Sequence, residues 1–251
     1  MNPPKPLISI ITVTYNAEKT LPSTLQSVNE QTWTDYEHLI IDGASRDATT
    51  QIAKSLETTH TRIISEPDNG LYDAMNKGIS MANGKYLIFL NAGDSFHSPK
   101  TLETIAHTII TNNYPGIVYG QTQLVDSNRN RIGDRHLSAP KQLSVKSFSN
   151  GMLVCHQAFI ASKTIASEYN LTYRFSADYD WCIKCLKQSP SNILIPDILI
   201  DYLNEGVTTA NHRASLIERF HIMRHYYGTC HTIFNHLKFI PRFIATKLKH
   251  K

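Results

Sequence analysis

The sequence predicts an α/β fold with a mostly parallel sheet flanked by helices, and three observations predict it. Short apolar, β-branched runs alternate with helical stretches from Leu7 to Tyr119. The runs are apolar at successive positions, the pattern of strands buried on both faces. Each run then breaks into polar or acidic turn residues, and in open α/β sheets ligands bind outside the carboxyl ends of the strands.

In order, Leu7 to Thr14 (LISIITVT) reads as the first buried strand, followed by Tyr15-Asn16-Ala17 and a helix from Lys19 to Gln31 with Leu21, Leu25 and Val28 along one side. Glu37 to Ile41 is the second strand, closed by Asp42-Gly43-Ala44-Ser45. A helix from Asp47 to Leu56 and a strand from Arg62 to Ser65 complete a βαβαβ series. Asp68-Asn69-Gly70 is a turn, Leu71 to Asn83 a helix, and Lys85 to Leu90 a fourth core strand that runs into Asn91-Ala92-Gly93-Asp94. A helix from Pro99 to Asn112 and a strand from Gly116 to Tyr119 follow. Beyond Gln121 the texture changes to a polar hairpin around Asp126 to Asn130, a loop from Pro140 to Asn150 and a helix from Ala177 to Gln188. From Arg213 the chain reads as helical, with Leu216, Phe220 and Met223 and then Ile233, Leu237, Ile240, Ile244 and Leu248 at helical spacing, interrupted at Pro241.

Composition narrows the function. With 251 residues and 41% of them apolar the chain can bury a sizeable core, and 11 Gly and 11 Pro exclude collagen-like or low-complexity chains. Its 25 Lys and Arg against 21 Asp and Glu predict no nucleic-acid partner. The excess is local: seven Lys or Arg and no acidic residue lie from Arg219 onward, leaving 18 basic against 21 acidic residues before it. This basic tail, with Phe234, Phe239 and Phe243, suits an interfacial helix, a helix packed on its own domain, or a homo-oligomer contact. No apolar leader precedes the first strand and no run reaches the ~18 residues needed to cross a bilayer, so the expectation is a cytoplasmic protein, peripheral to the membrane at most.

Among chemical candidates, Asp94 at a strand end can hold a hard divalent cation above a phosphate or cap its own turn. Asp42 can bond a base or ribose or cap the next helix. Asp178 and Asp180 start a helix at a spacing that sends them in different directions, so one of them faces a cleft as a general base. Cys182-x-x-Cys185 lacks two further zinc ligands and reads as core, and His221 and His225 lack the Glu of a zinc hydrolase. There is no glycine-rich dinucleotide fingerprint and no Walker loop, so a diphosphate must be held by a cation and side chains.

Several blocks carry more than fold logic: Ile8 to Asn16, Leu39 to Ser45 with Asp47, Glu66-Pro67-Asp68-Asn69-Gly70-Leu71-Tyr72-Asp73-Ala74-Met75-Asn76-Lys77-Gly78, Phe89 to Asp94, His156-Gln157, Ala177 to Asp180, and Glu205 to Thr208. With them the chain resembles the inverting family 2 glycosyltransferases, in particular those of colanic acid, capsule and lipopolysaccharide biosynthesis. The resemblance implies a GT-A fold with a Rossmann-like nucleotide-binding sheet, a nucleotide-diphosphate sugar donor of the UDP type, a Mn2+ or Mg2+ cofactor, and a glycan or lipid-linked acceptor. It assigns Thr14, Tyr15, Asn16 and Asp42 to the base and ribose, Asp68 and Lys77 to further donor contacts, Asp94 to the metal and Asp178 to the catalytic base. It divides the chain into a single domain over 1–212, with a nucleotide-sugar lobe over about 6–120 and an acceptor lobe over about 121–212, followed by a basic amphipathic extension over 213–251. A sugar-phosphate nucleotidyltransferase is the competing enzyme, but it would carry a glycine-rich basic loop where this chain has Tyr15-Asn16-Ala17-Glu18. A non-catalytic sugar- or nucleotide-binding protein is the other alternative.

Overall fold

The computed structural model describes residues 5–135, 137–204 and 212–237. The Glu205 to Thr208 block and the tail beyond Leu237, with Phe239, Pro241, Phe243 and the terminal lysines, lie outside them.

The expected alternation is present. Strands β1 (Ile8–Thr14), β2 (Tyr36–Asp42), β3 (Thr61–Ser65) and β4 (Tyr86–Phe89) alternate with helices α1 (Leu21–Asn29), α2 (Thr49–Ser55) and α3 (Leu71–Met81). After β4 come β5 (Ser95–Phe96), α4 (Thr101–Thr111), β6 (Ile117–Val125), β7 (Arg131–Asp134), two short 3-10 turns at Val145–Asn150 and His156–Ala158, β8 (Phe159–Ser162), α5 (Ala177–Gln188), β9 (Asn192–Leu203) and α6 (His212–Tyr227). The strands form one sheet in the order β3-β2-β1-β4-β8-β6-β9-β5, with β7 paired to β6. β1 runs parallel to both β2 and β4, and β2 parallel to β3. Strand order therefore reverses between β1 and β4, which opens a crevice at their carboxyl ends.

The buried-on-both-faces pattern holds in β1, where every residue is buried. One face packs against α3 through Ile11 and Val13 with Met75 and Ile79, the other against α4 through Ile8 and Ile10 with Leu102, Ile105 and Ile109. His38 of β2 is an exception among these apolar strands: it is 1% exposed and its Nε2 pairs with Thr12 Oγ1 at 2.9 Å. Burial holds its pKa at about 3 instead of 6.5. The unfolded chain takes up a proton below pH 6.5 that the folded chain refuses, so stability is complete above pH 6.5 and falls as the pH drops toward 3. His38→Gln should flatten that acid limb, removing up to about 5 kcal/mol of pH dependence; an unchanged slope of denaturation midpoint against pH would refute it.

Three differences from the sequence expectations have physical causes. β8 and β9 lie in stretches without an expected strand: β8 is four residues long, and β9 contains Pro196, which cannot donate to a ladder. The sheet accommodates Pro196 and Asp197 by a register shift opposite Gly120, between the Tyr119–Leu194 and Gln121–Ile198 pairs. The expected apolar stripe of the C-terminal helices holds only in part, with Met223 buried and Phe220 half-buried. Leu216, Ile233 and Leu237 are 43%, 46% and 56% exposed, whereas Ser215, Ile222, Met223, Thr232 and Asn235 are buried. The contact is partly polar: Tyr226 Oη donates to Asp180 Oδ1 at 2.8 Å, Tyr227 Oη to Val145 O at 2.7 Å, and Asn235 Nδ2 to Ser149 O at 2.7 Å. Residues 212–237 thus pack on their own domain through hydroxyls and an amide that hydrophobic periodicity does not register.

Candidate active site

At the crevice, β1 ends at Thr14, whose buried Oγ1 has no partner. Asn16 follows in the left-handed region, φ 48°, which Asn tolerates through its short polar side chain. Its Oδ1 accepts from Arg46 N at 2.9 Å and its N–H donates to Ser45 Oγ at 2.8 Å, joining the β1 and β2 loops. Between them Tyr15 stands 61% exposed, an uncovered ring at the point where strand order reverses.

Asp42 ends β2 and is 1% exposed. Its carboxylate accepts from Ser45 N at 3.0 Å, from Ser65 Oγ at 2.6 Å and from Ser45 Oγ. These bonds hold Ala44 in the left-handed region at φ 59°, a strain that a residue with a Cβ sustains only where its surroundings enforce it. Gly43 is needed beside it, because a Cβ there would lie 2.4 Å from Asp68 Oδ2. Asp68 Oδ1 accepts from Gly70 N at 2.8 Å in the turn that starts α3. Lys77, one face further along α3, donates to Pro67 O at 2.7 Å and pairs with Glu66 at 2.8 Å, which raises its pKa. Asp42, Asp68 and Lys77 therefore shape one loop system around Tyr15.

The Asn91-Ala92-Gly93-Asp94 turn after β4 is held by Thr24, which accepts from Gly93 N at 2.9 Å and donates to Asp94 O at 2.7 Å. Gly93 has φ 110°, a conformation reserved for glycine. Asp94 is 5% exposed; Leu203 N donates to Oδ1 at 3.0 Å and Gln157 Nε2 to Oδ2 at 2.7 Å. Burial pushes its pKa up to about 7, against the Leu203 and Gln157 bonds and the Arg129 charge. Arg129, at the β6–β7 hairpin, donates from Nη1 to Gly93 O at 2.7 Å. Its buried Nη2 and the buried Asn91 Oδ1 have no partner among the described residues. Among the described residues no three His, Cys, Asp or Glu converge to hold a metal. One carboxylate and one free amide oxygen in the same turn do fit a hard cation that keeps its waters and takes its other ligands from a diphosphate.

Asp178, in the first turn of α5, has 15% of its side chain exposed. Oδ1 accepts from Tyr72 Oη at 3.1 Å and from Tyr179 N at 2.9 Å; Oδ2 faces His156 Nδ1 at 3.5 Å. The floor beneath is aromatic: Tyr72 stacks on Tyr169, Tyr169 on Trp181, and Phe89 meets Trp181 edge-on. Burial, then Asp178, raises the Tyr72 pKa well above its ordinary value. Asp180 points the other way, as its spacing requires, and is paired with Lys184 at 2.7 Å. Cys182 and Cys185 are buried in the core of the same helix.

The fold brings the two candidate carboxylates to one place. They flank one turn: Gln157 Nε2 donates to Asp94 Oδ2 at 2.7 Å, and the adjacent His156 lies with Nδ1 3.5 Å from Asp178 Oδ2. Sequence reasoning singled out both aspartates, but it did not find the contacts that Tyr72 and His156 make with Asp178 and Gln157 with Asp94, although all three stood in its quoted blocks. Arg129 had no sequence signal, being a single cation in a polar hairpin.

Residues 9–170 match the family described as Glycosyl transferase family 2. A PGL/p-HBAD biosynthesis glycosyltransferase of Mycobacterium bovis is 32% identical over 212 residues, covering 82% of this chain and 77% of the relative. Among solved structures, S. aureus TarS 1–349 in complex with UDP-GlcNAc superposes with a TM-score of 0.68 at 16% identity, over 87% of this chain and 65% of that one. Mannosyltransferase PcManGT from Pyrobaculum calidifontis, in complex with GDP-Man and Mn2+, does so with a TM-score of 0.63 at 14% identity, over 98% and 80%. At those identities the likeness is one of fold.

Proposed function

The chain belongs to glycosyl transferase family 2 and is a glycosyltransferase acting on nucleotide sugars, and from that premise we propose an inverting transfer of one sugar from a UDP-sugar to a hydroxyl of a lipid-linked or polysaccharide acceptor in cell-surface glycan assembly. The observation that carries the proposal is that adjacent residues of one turn reach both carboxylates, Gln157 Nε2 donating to Asp94 Oδ2 at 2.7 Å and His156 Nδ1 lying 3.5 Å from Asp178 Oδ2.

In this reading Tyr15 stacks on the base, Asp42, Thr14 and Asn16 define the pocket that receives base and ribose, and Asp68 and Lys77 close its far wall. Asp94 and Asn91 would hold a Mn2+ or Mg2+ ion, which would supply positive charge to the departing diphosphate. Arg129 adds a fixed guanidinium on the same side. On the other side Asp178 Oδ2 takes the proton of the acceptor hydroxyl as its oxygen bonds to the anomeric carbon; the bond from that carbon to the diphosphate oxygen breaks, and the nucleoside diphosphate leaves with the electron pair. Single displacement from the face opposite the leaving group inverts the anomeric centre.

Titrating the protein calorimetrically with UDP, GDP and dTDP, each with Mn2+ and with chelator, tests the donor side. Metal-dependent binding of UDP is expected; GDP or dTDP preferred would move the donor assignment, and no binding of any of the three would refute the reading. For the acceptor side, exposed Ile217, Ile233 and Leu237 with the acid-free, basic sequence after Arg219 support peripheral contact with an anionic bilayer at its cytoplasmic face. No helix of the described residues is long and apolar enough to cross a membrane. The protein should float with phosphatidylglycerol vesicles at low salt and be released by high salt; no flotation at low salt would remove this part of the reading.

A further inference from the structure

The 3-10 turn at His156–Ala158 is placed between the two working carboxylates, and adjacent residues in it reach one each: His156 Nδ1 lies 3.5 Å from Asp178 Oδ2, and Gln157 Nε2 lies 2.7 Å from Asp94 Oδ2. We propose that this turn is a two-armed positioning device, in which neutral His156 orients the proton-accepting oxygen of Asp178 and Gln157 orients Asp94 toward the donor diphosphate. The proposal rests on the roles given above to Asp178 and Asp94.

Five features support it. Tyr72 Oη and Tyr179 N–H both occupy Oδ1 of Asp178, which leaves Oδ2, the oxygen facing His156, to receive a proton. Nε2 of His156 is buried without a partner among the described residues. A buried N–H without an acceptor is rarer and costlier than a bare lone pair, so the proton belongs on Nδ1, toward the carboxylate. Burial keeps the imidazole pKa low against the pull of Asp178, so the ring directs Oδ2 without neutralising its charge. The other arm is oriented as firmly: the Asp94 carboxylate can only accept and so takes the Gln157 amide N–H, while Cys155 Sγ lies 2.6 Å from Gln157 Oε1, where its thiol donates to the amide oxygen. Phe89 packs near the imidazole at 6.3 Å between ring centroids, tying the turn to β4 and so to the loop that carries Asp94.

Neighbouring residues should then give opposite kinetic signatures. His156→Ala is expected to lower kcat by about 10- to 100-fold while leaving calorimetric binding of UDP with Mn2+ unchanged, and His156→Asn, whose amide nitrogen sits where Nδ1 was, should recover most of the loss. Gln157→Ala should instead weaken UDP–Mn2+ binding about 10-fold, and His156→Gln, which places its amide at Nε2, should not rescue. Turnover is read as nucleoside diphosphate released from the UDP-sugar used, and melting temperature confirms folding. Nitrogen-15 NMR of the imidazoles provides a readout without substrate: the resonance absent from His156→Asn should report the Nδ1–H tautomer and shift in Asp178→Asn. An Nε2–H tautomer, an unaffected kcat in His156→Ala, or a loss that Asn does not recover would overturn the proposal. An active Asp178→Asn would overturn the assignment of the base beneath it, which separates the two failures.

Discussion

Asp178→Asn is expected to bind UDP with Mn2+ as tightly as the parent chain, melt within a few degrees of it, and turn over about 10²- to 10⁴-fold more slowly, the range over which a positioned general base acts. The substitution is nearly isosteric. Asn Oδ1 can still accept from Tyr72 Oη and Tyr179 N–H, whose distances to Asp178 Oδ1 are 3.1 and 2.9 Å, so the start of α5 keeps its shape. What disappears is the lone pair and charge at Oδ2. Because Tyr72 donates to Asp178 and has its own pKa raised well above the ordinary value by burial and by that carboxylate, it is no substitute base at neutral pH. Single-turnover rates with saturating donor decide the matter, and a variant as fast as the parent would place the base elsewhere.

Asp94→Ala should abolish metal-dependent UDP binding, with affinity falling at least about 10-fold and chelator no longer changing what remains. Asn91 would be left as a neutral ligand, and a single amide oxygen does not hold a hard cation. Asp94→Asn isolates the charge from the shape, since its amide oxygen can still accept from Leu203 N, the partner of Asp94 Oδ1. This second variant should lose the metal dependence as the first does and also melt lower than the parent, because its Nδ2 meets the Gln157 Nε2 donor and that contact outweighs the relief of no longer burying a carboxylate at 5% exposure. Calorimetry with and without chelator measures the first effect and a thermal melt the second. Retained metal dependence in both variants would remove Asp94 from the metal site.

The alternation from Ile8 to Phe89 was readable because it is a local pattern: β-branched runs, amphipathic turns and terminators such as Asp68-Asn69-Gly70 each specify backbone within a few residues. Boundaries agree to within about two residues, the ordinary scatter of helix ends. β9 was not readable for the converse reason. Its proline contradicts a strand locally, and only the bulge opposite Gly120, supplied by β6, makes the pairing workable. With β9 went the partner of Asp94, since Leu203 closes that strand. The C-terminal helices misled in the same way: α6 docks partly through Tyr226 and Tyr227 hydroxyls, whose acceptors, Asp180 and Val145 O, are set by the fold.

By itself the sequence determined the fold class, the family blocks and the residue types available for chemistry, because period, turn preference and side-chain acidity are properties of short stretches. Tertiary structure alone decided that one turn reaches both Asp94 and Asp178, that Asp180 is turned away and paired with Lys184, and that a His and a Gln adjacent in sequence contact different carboxylates. Those outcomes depend on where distant segments are brought by strand order and helix docking, and on which side chains lose water there, which no window of the chain contains.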